Sequence, residues 1–445
     1  MKVVLPNSSI MQRKEFTFGA ATSAFQIEGA VQEDGRCESI WDRFCRTPGK
    51  VKHGDLGDVA CRHYDLYDQD LDLLKELNFD AYRFSIAWPR IEPEKGFWNS
   101  KGFDFYQRLV DGLLERGIEP HVTLYHWDLP QYYEDLGGWL NRETCFRFAE
   151  YADKVTDKLG DRVASYATFN EPWCSAFLGY RDGVHAPGLE NRQMGFQAAH
   201  HLLLAHGLAL PKMRANAPEA KHGIVLNFTP AFAATDKPED VQAAEFSDAE
   251  NTHWFIQPLM EGQYPKQVEQ TLAAHMPVME ADDLATMNQP IDFLGINYYT
   301  RAVVAHCDEK IYQGVTQPEA EHTAIGWEIY PQGLTHLLTD LHQRYELPPI
   351  YITENGAAGL DKVEAGEVND EQRCRYFQGH LAALNDAIDQ GVNVEGYFAW
   401  SLLDNFEWAE GYEQRFGIVH VDFETQVRTP KRSALMLKEF INQRG

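Results

Sequence analysis

The sequence predicts an α/β fold in which one (β/α)8 TIM barrel occupies residues 1–445 as a single domain. Eight apolar runs of strand character recur along the chain, and amphipathic helical patterns lie between them. Strands that alternate with helices pair in parallel through right-handed crossovers, and eight such units close a barrel. An open doubly wound sheet is the alternative, but no Gly-x-Gly-x-x-Gly motif follows any of the runs.

The predicted strands are rich in β-branched and aromatic residues and end in polar or small ones. They are FTFGAATSAFQ (16–26), FDAYRFSIAW (79–88), IEPHVTLYHW (118–127), ASYATFNE (164–171), HGIVLNFT (222–229), DFLGINYYT (292–300), PIYITENG (349–356) and VEGYFAWSLLDNF (394–406).

The helices are predicted from the spacing of their apolar residues. After the second strand this spacing follows i, i+3 and i+4, and Gly117 is expected to end the helix. The apolar set is Phe103, Tyr106, Leu109, Val110, Leu113 and Leu114. Segments 58–77 and 143–160 show the same period, so each is expected to cover the barrel as a helix.

Composition and charge exclude several classes of protein. The chain has 44% hydrophobic and 24% charged residues, which is typical of a globular protein and excludes a disordered or fibrous one. The 67 acidic residues outnumber the 40 basic ones, for a formal net charge of −27. Because such a surface repels phosphate backbones and anionic lipids, we expect neither a nucleic-acid nor a membrane partner.

The seven cysteines and the N-terminal segment bear on location. The cysteine count is odd and no Cys-x-x-Cys occurs, so free thiols in a reducing, cytoplasmic compartment are expected. The segment MKVVLPNSSIMQRKEF holds only a short apolar patch, and no run of 18 apolar residues follows, so neither a signal peptide nor a membrane span is expected. The sequence does not specify an oligomeric state.

Polar and aromatic residues cluster where the predicted strands end. In a barrel these ends meet at one mouth, and the active site is expected there. The residues are Gln26, Arg83, His126, Trp127, Asn170, Glu171, Asn297, Tyr299, Glu354 and Trp400. Glu171 and Glu354 end the fourth and seventh runs, which can face each other across a barrel. Two carboxyl groups that flank one point are what glycosidic bond hydrolysis requires.

Seven motifs follow one another in a family's order. They are FTFGAATSAFQIEGA (16–30), YRFSIAWPRI (82–91), LYHWDLP (124–130), TFNEP (168–172), GINYYT (295–300), ITENG (352–356) and WSLLDNFEWAEGY (400–412). In this order they resemble glycoside hydrolase family 1, of the β-glucosidase type, over nearly the whole chain.

The resemblance implies a retaining β-glycosidase that releases the terminal β-D-glucosyl residue of a β-glucoside or β-oligosaccharide. Glu354 takes the nucleophile position and Glu171 the acid/base position. Supporting positions fall on Arg83, Tyr299 and Asn297. Substrate-binding positions fall on Gln26, His126, Trp127, Asn170, Trp400, Glu407, Trp408 and Phe416.

No cofactor and no catalytic metal are expected. No His-Glu-x-x-His motif occurs, and the adjacent His200 and His201 in a helical segment would face different directions. For Cys174, which follows TFNEP, buried packing is the expected role.

Three positions near the last strand indicate the kind of sugar. Glu407, Gln414 and Phe416 stand where the phospho-glycosidase branch of the family carries Ser, Lys and Tyr. Because a carboxylate repels a phosphate, we expect an unphosphorylated sugar, with galactosides and fucosides accepted beside glucosides. The loops 174–196 and 301–330 are expected to contact the leaving group, with Trp173 and Trp327 as further aromatic surfaces. A transglycosylase and a non-catalytic sugar-binding protein are the alternatives.

Overall fold

A computed structural model describes residues 2–445 and shows a closed barrel of eight parallel strands. The strands of the whole chain are β1 (Thr17–Ala21), β2 (Ala81–Ser85), β3 (Glu119–Tyr125), β4 (Ser165–Asn170), β5 (Lys221–Asn227), β6 (Ala231–Ala233), β7 (Phe293–Asn297), β8 (Ala302–Cys307), β9 (Lys310–Gly314), β10 (Ile350–Asn355), β11 (Val394–Trp400), β12 (Val419–Val421) and β13 (Arg428–Pro430). The barrel runs β1-β11-β10-β7-β5-β4-β3-β2, so the predicted (β/α)8 fold is confirmed.

Helices connect the strands and cover the barrel. They are α1 (Ala24–Ile27), α2 (Ile40–Arg46), α3 (His63–Glu76), α4 (Trp88–Ile91), α5 (Ser100–Glu115), α6 (Gln131–Glu134), α7 (Glu143–Leu159), α8 (Arg192–Asn216), α9 (Pro238–Asp248), α10 (Trp254–Glu261), α11 (Lys266–Thr271), α12 (Asp283–Met287), α13 (Gln332–Arg344), α14 (Glu371–Asp389) and α15 (Arg432–Asn442). Gly117 ends α5 as predicted, with a φ of +73° that glycine adopts without strain.

The observed strands are shorter than the predicted runs. Each run continues past its strand into the loop at the barrel mouth. The clearest case is the first run, where the chain leaves β1 and turns into α1, so Gln26 lies on a helical turn rather than at a strand end. Two small sheets, β6-β8-β9 and β12-β13, were not predicted, because their strands are short or largely exposed.

Side chains fill the inside of the barrel below its mouth. The inward-facing residues include Ala21, Ala81, Val225, Phe293 and Phe398, and all of them are buried. Gly19 of β1 lies so close to the Phe398 ring that a Cβ there would meet it at 2.3 Å. The open space therefore lies above this packed floor, at the C-terminal ends of the strands.

The cysteines and the helices bear on two further predictions. All seven cysteines are free thiols, as expected from their number and spacing. Within residues 2–445, no helix is both long and apolar enough to cross a membrane.

Candidate active site

A cavity of about 530 Å³ opens at the C-terminal ends of the barrel strands. Ten of the predicted site residues line it, namely His126, Trp127, Glu171, Asn297, Tyr299, Glu354, Trp400, Glu407, Trp408 and Phe416. Three others, Gln26, Arg83 and Asn170, are buried and hydrogen-bonded to residues of this wall. A cavity of this size holds a small ligand such as one or two sugar rings.

Glu354 lies near the end of β10, between a cation and a phenol. Arg83 Nη1 donates to its Oε1 across 2.8 Å, and the Tyr299 hydroxyl donates to its Oε2 across 2.6 Å. Burial raises the pKa of Glu354, while Arg83 and Tyr299 act in the opposite direction by favouring the ionised carboxylate. Both oxygens are therefore held by donors that stabilise negative charge.

Glu171 follows β4 directly and has a different environment. Asn297 Nδ2 donates to its Oε1 across 2.7 Å, and Cys174 Sγ lies 3.1 Å from its Oε2. Burial, and then the charge of Glu354, raise the pKa of Glu171. Because Glu171 has no cation in hydrogen-bond contact, a proton shared by this pair of carboxyls resides on Glu171.

Asn170 joins the two carboxyl groups through their neighbours. Its Oδ1 accepts hydrogen bonds from Arg83 Nη2 at 2.6 Å and from Asn297 Nδ2 at 3.1 Å. Its Nδ2 lies 3.1 Å from His126 Nε2. Four strands, β2, β3, β4 and β7, therefore position these side chains through one buried network, which fixes the two carboxyl groups relative to each other.

Aromatic rings form one side of the cavity. The His126 ring stacks with Trp400 and Trp408, with centroids 5.7 and 5.9 Å apart, and Trp127 packs on Trp408 at 4.4 Å. Burial, and then the charge of Arg83, lower the pKa of His126 well below its usual range, so the imidazole is neutral. Trp127 donates its indole N–H to the Asn170 carbonyl, so it presents only its ring to the cavity. Such surfaces match the C–H face of a pyranose.

Glu407 is a third carboxyl group of the cavity wall, and Gln26 is hydrogen-bonded to it. Gln26 Nε2 donates to Asn405 Oδ1, to the Phe406 carbonyl and, at 3.4 Å, to Glu407 Oε2. Burial, and then the charges of Glu354 and Glu171, raise the pKa of Glu407 to about 8. Glu407 lines the cavity, whereas Gln26 is buried next to it and donates to it; that Gln26 binds the sugar stays a prediction.

Three residues of the cavity wall have a backbone that non-glycine residues rarely adopt. Their φ values are +83° for Trp127, +49° for Glu171 and +50° for Trp408. A left-handed residue with a side chain costs about 1–3 kcal/mol, and such conformations concentrate at functional sites. Trp127 and Glu171 lie just after β3 and β4, and Trp408 lies in the loop that follows β11, so the chain turns at these points and the side chains line the cavity.

The sequence prediction missed part of the wall. The loops 174–196 and 301–330 contribute Leu178, His185, Ile325 and Trp327, and Trp173 also lines the cavity. That these loops contact the leaving group stays a prediction. Asn227, Phe228 and Thr229 line the cavity too and were not predicted, although a polar residue at the end of the fifth run was a usable signal. Cys174 is buried, but it contacts Glu171, so packing alone does not describe it.

The chain matches known proteins along almost its entire length. The family described as Glycosyl hydrolase family 1 matches residues 9–445. The chain belongs to glycosyl hydrolase family 1. The resemblance seen in the sequence motifs is therefore confirmed.

Three relatives illustrate the similarity. A β-glucosidase of Agrobacterium sp. is 48% identical, over 94% of this chain and 93% of that protein. A bifunctional β-D-glucosidase/β-D-fucosidase of Bifidobacterium breve is 45% identical, over 96% of this chain and 97% of the relative. The solved structure of virulence factor SghA of Agrobacterium tumefaciens with its substrate analog salicin is 45% identical, covers 99% of both chains and has a TM-score of 0.95.

In the part of the chain that the structure describes, the histidines and acidic residues do not form a metal site. Within residues 2–445, no three His, Cys, Asp or Glu side chains are grouped to hold an ion. His200 contacts Asp283 and Tyr264, whereas His201 contacts the Trp139 carbonyl, so the two adjacent histidines face different partners. That the reaction needs no metal and no cofactor stays a prediction.

Proposed function

We propose that this chain is a retaining β-glucosidase in which Glu354 is the nucleophile and Glu171 is the acid/base. The observation that carries the proposal is the unequal environment of two carboxyl groups in one cavity. Arg83 and Tyr299 hold Glu354 in the form that attacks, whereas burial and then the charge of Glu354 raise the pKa of Glu171 and keep a proton on it. Glycosidases of this class need one ionised and one protonated carboxyl group.

The first step forms a covalent glycosyl-enzyme. A Glu354 oxygen bonds to the anomeric carbon while the bond between that carbon and the glycosidic oxygen breaks. The proton of Glu171 moves to the glycosidic oxygen, so the leaving group departs as a neutral alcohol. Asn170, held by Arg83 and Asn297, is placed to contact the sugar hydroxyl next to the reacting carbon.

The second step releases the sugar. Once Glu354 is an ester its charge is gone, so the pKa of Glu171 falls and the residue becomes a base. Glu171 takes a proton from a water molecule, the water oxygen bonds to the anomeric carbon, and the ester bond to Glu354 breaks. The two substitutions at the same carbon retain the β configuration.

The substrate proposed is an unphosphorylated β-D-glucoside or β-oligosaccharide, with β-fucosides and β-galactosides as weaker substrates. Glu407 supports this choice, because it is a third carboxyl group beside Glu171 and Glu354, and the negative charge of that pair, which helps to raise its pKa, also disfavours a phosphorylated sugar. The B. breve relative, named for both glucosidase and fucosidase activity, supports the broader range. We also propose a cytoplasmic location, supported by the seven free thiols.

The test combines stereochemistry with a substrate panel. NMR of the first-formed sugar should show the β anomer, and the α anomer formed first would overturn a retaining mechanism. Aryl β-glucosides, β-galactosides and β-fucosides are assayed with wild type, Glu354→Ala and the control Glu395→Gln. Glu395 pairs with Lys221 at the other end of the barrel, so its variant should stay active.

Two outcomes would favour the alternatives. If Glu354→Ala retains wild-type rates on every substrate, Glu354 is not the nucleophile. If sugar adducts exceed free glucose when an acceptor glycoside is added at low concentration, the chain is a transglycosylase. A wild-type protein that binds the glycosides and hydrolyses none would be a sugar-binding protein.

A further inference from the structure

Cys174 lies one turn after Glu171 and reaches back to it. The Cys174 backbone N–H donates to the Glu171 carbonyl across 2.9 Å, and its Sγ lies 3.1 Å from Glu171 Oε2. Both side chains are buried, and both line the active-site cavity. The contact is therefore within the proposed catalytic centre rather than in the surrounding core.

The two oxygens of Glu171 are not equivalent. Oε1 accepts a hydrogen bond from Asn297 Nδ2, so the carboxyl proton belongs on Oε2. Oε2 is also the oxygen that Cys174 contacts. A thiol donates to a bare carboxylate oxygen better than to one that already carries a proton, so this contact favours the ionised form of Glu171.

The thiol keeps its own proton in this environment. Burial and the nearby Glu171 carboxylate raise the pKa of Cys174 well above its usual range. Within residues 2–445, Asn297 and Cys174 are the two side chains that donate hydrogen bonds to the Glu171 carboxyl group. The charged and titratable groups that face Glu171 are Cys174, Glu354, Arg83, Tyr299 and Glu407.

We propose that Cys174 is a positioning residue for Glu171, whose S–H holds Oε2 when that oxygen is ionised and acts as the base toward water. This rests on the acid/base role proposed for Glu171. The sulfur proton does not transfer; the thiol aims the carboxylate and lowers its affinity for the proton. Asn297 fixes one oxygen and Cys174 the other, so the carboxyl plane is defined from two elements.

The test is a pH profile of Cys174→Ala and Cys174→Ser. Loss of the donor should raise the pKa of Glu171 by about half a pH unit, since a thiol is a weak donor. Two limbs should then move to higher pH in the Ala variant. The first is the basic limb of kcat/KM. The second is the acidic limb of kcat, measured with an activated aryl glucoside so that deglycosylation limits kcat. The Ser variant, which keeps a donor, should return both limbs toward wild type.

A second buried cysteine provides the matched control. Cys145 Sγ also donates to an oxygen, the His201 carbonyl at 3.3 Å, outside the active-site cavity. Cys145→Ala should leave both limbs in place. If Cys174→Ala lowers the rates with no movement of either limb, Cys174 is only structural and the inference is wrong.

Glu171→Gln, run beside these variants, separates the two proposals. If it loses the basic limb while Cys174→Ala leaves that limb unmoved, only the role of Cys174 fails. If Glu171→Gln keeps the limb, the proposed function of Glu171 fails, and the inference about Cys174 fails with it.

Discussion

The Tyr299 hydroxyl donates a 2.6 Å hydrogen bond to Glu354 Oε2, and this contact links two parts of the active site. The same ring packs against Trp327 at 5.4 Å and Phe416 at 6.0 Å, which both line the cavity. Burial and the charge of Glu354 raise the pKa of Tyr299 well above its usual range, so the phenol remains a donor. The orientation of the proposed nucleophile therefore depends on a residue of the aromatic wall.

Tyr299→Phe should slow the reaction and move the acidic limb of its pH profile. A hydrogen bond to a charged group is worth about 1.5–3 kcal/mol, so kcat/KM should fall about tenfold to a hundredfold. Tyr299 stabilises ionised Glu354, so its loss raises the pKa of Glu354. Because the reaction needs the Glu354 carboxylate, the acidic limb of the variant should therefore lie at a higher pH than that of the wild type.

The neighbouring tyrosine is the control for this variant. Tyr298 donates to the Tyr330 carbonyl and contacts neither of the two proposed catalytic carboxyl groups. Tyr298→Phe should leave the acidic limb of kcat/KM where it is in the wild type. An acidic limb that moves equally in both variants would contradict the role given to Tyr299.

Glu171→Ala should discriminate between leaving groups. General acid catalysis contributes about a hundredfold to ten-thousandfold, and a leaving group that departs as a stable anion does not need it. kcat/KM should therefore fall by about that factor for phenyl β-glucoside and change little for dinitrophenyl β-glucoside. Steady-state kinetics on the two substrates provides the measurement. An equal fall in kcat/KM on the two substrates would mean that Glu171 does not protonate the leaving group.

Trp327→Ala should weaken the binding of aromatic leaving groups. Trp327 packs on Tyr299 and Phe416 and lines the cavity. An aromatic pair is worth about 0.5–1.5 kcal/mol, so KM for phenyl β-glucoside should rise about twofold to tenfold. Methyl β-glucoside is the control substrate, because it has no ring to stack. If KM rises by the same factor for both substrates, Trp327 acts through Tyr299 instead.

The barrel itself could be predicted because its signals are local. Each barrel strand coincides with one predicted apolar run, with β5 beginning one residue earlier, and polar residues at the ends of the runs do meet in one cavity. Glu354 and Glu171 could be singled out because carboxyl groups are unusual at the end of such runs. The motif order then restricted the roles to those of one family.

What the sequence did not predict depends on contacts between distant or turned segments. The contact from Cys174 to Glu171 requires the left-handed backbone at Glu171 and the π-helical turn Cys174–Arg181, and neither has a sequence signature. The hydrogen bond from Gln26 to Glu407 depends on the turn into α1, because α1 begins inside an apolar run whose pattern predicts a continuous strand. Such details follow from tertiary packing rather than from residue spacing.

A buried ion cluster connects the loops after β10 and β11 to the start of α15. Lys431 is fully buried, and its Nζ contacts Asp404 Oδ1 at 2.6 Å and Asp361 Oδ2 at 2.5 Å. Asp404 also accepts a hydrogen bond from the Gly417 backbone, next to Phe416 of the cavity wall. The loops that follow β10 and β11 are therefore joined through one ammonium group.

Lys431→Met should destabilise the protein strongly. Removing one partner leaves two buried carboxylates short of a cation, which costs about 3–5 kcal/mol of unfolding free energy. Urea denaturation, compared at equal m-values, measures this cost. Lys101→Met is the control, because Lys101 pairs with Asp34 while 67% of its side chain is exposed, and such a pair is worth at most about 1 kcal/mol. Equal losses of unfolding free energy in the two variants would mean that Arg373, which also contacts Asp361, and Arg415, which also contacts Asp404, are enough to compensate the two carboxylates.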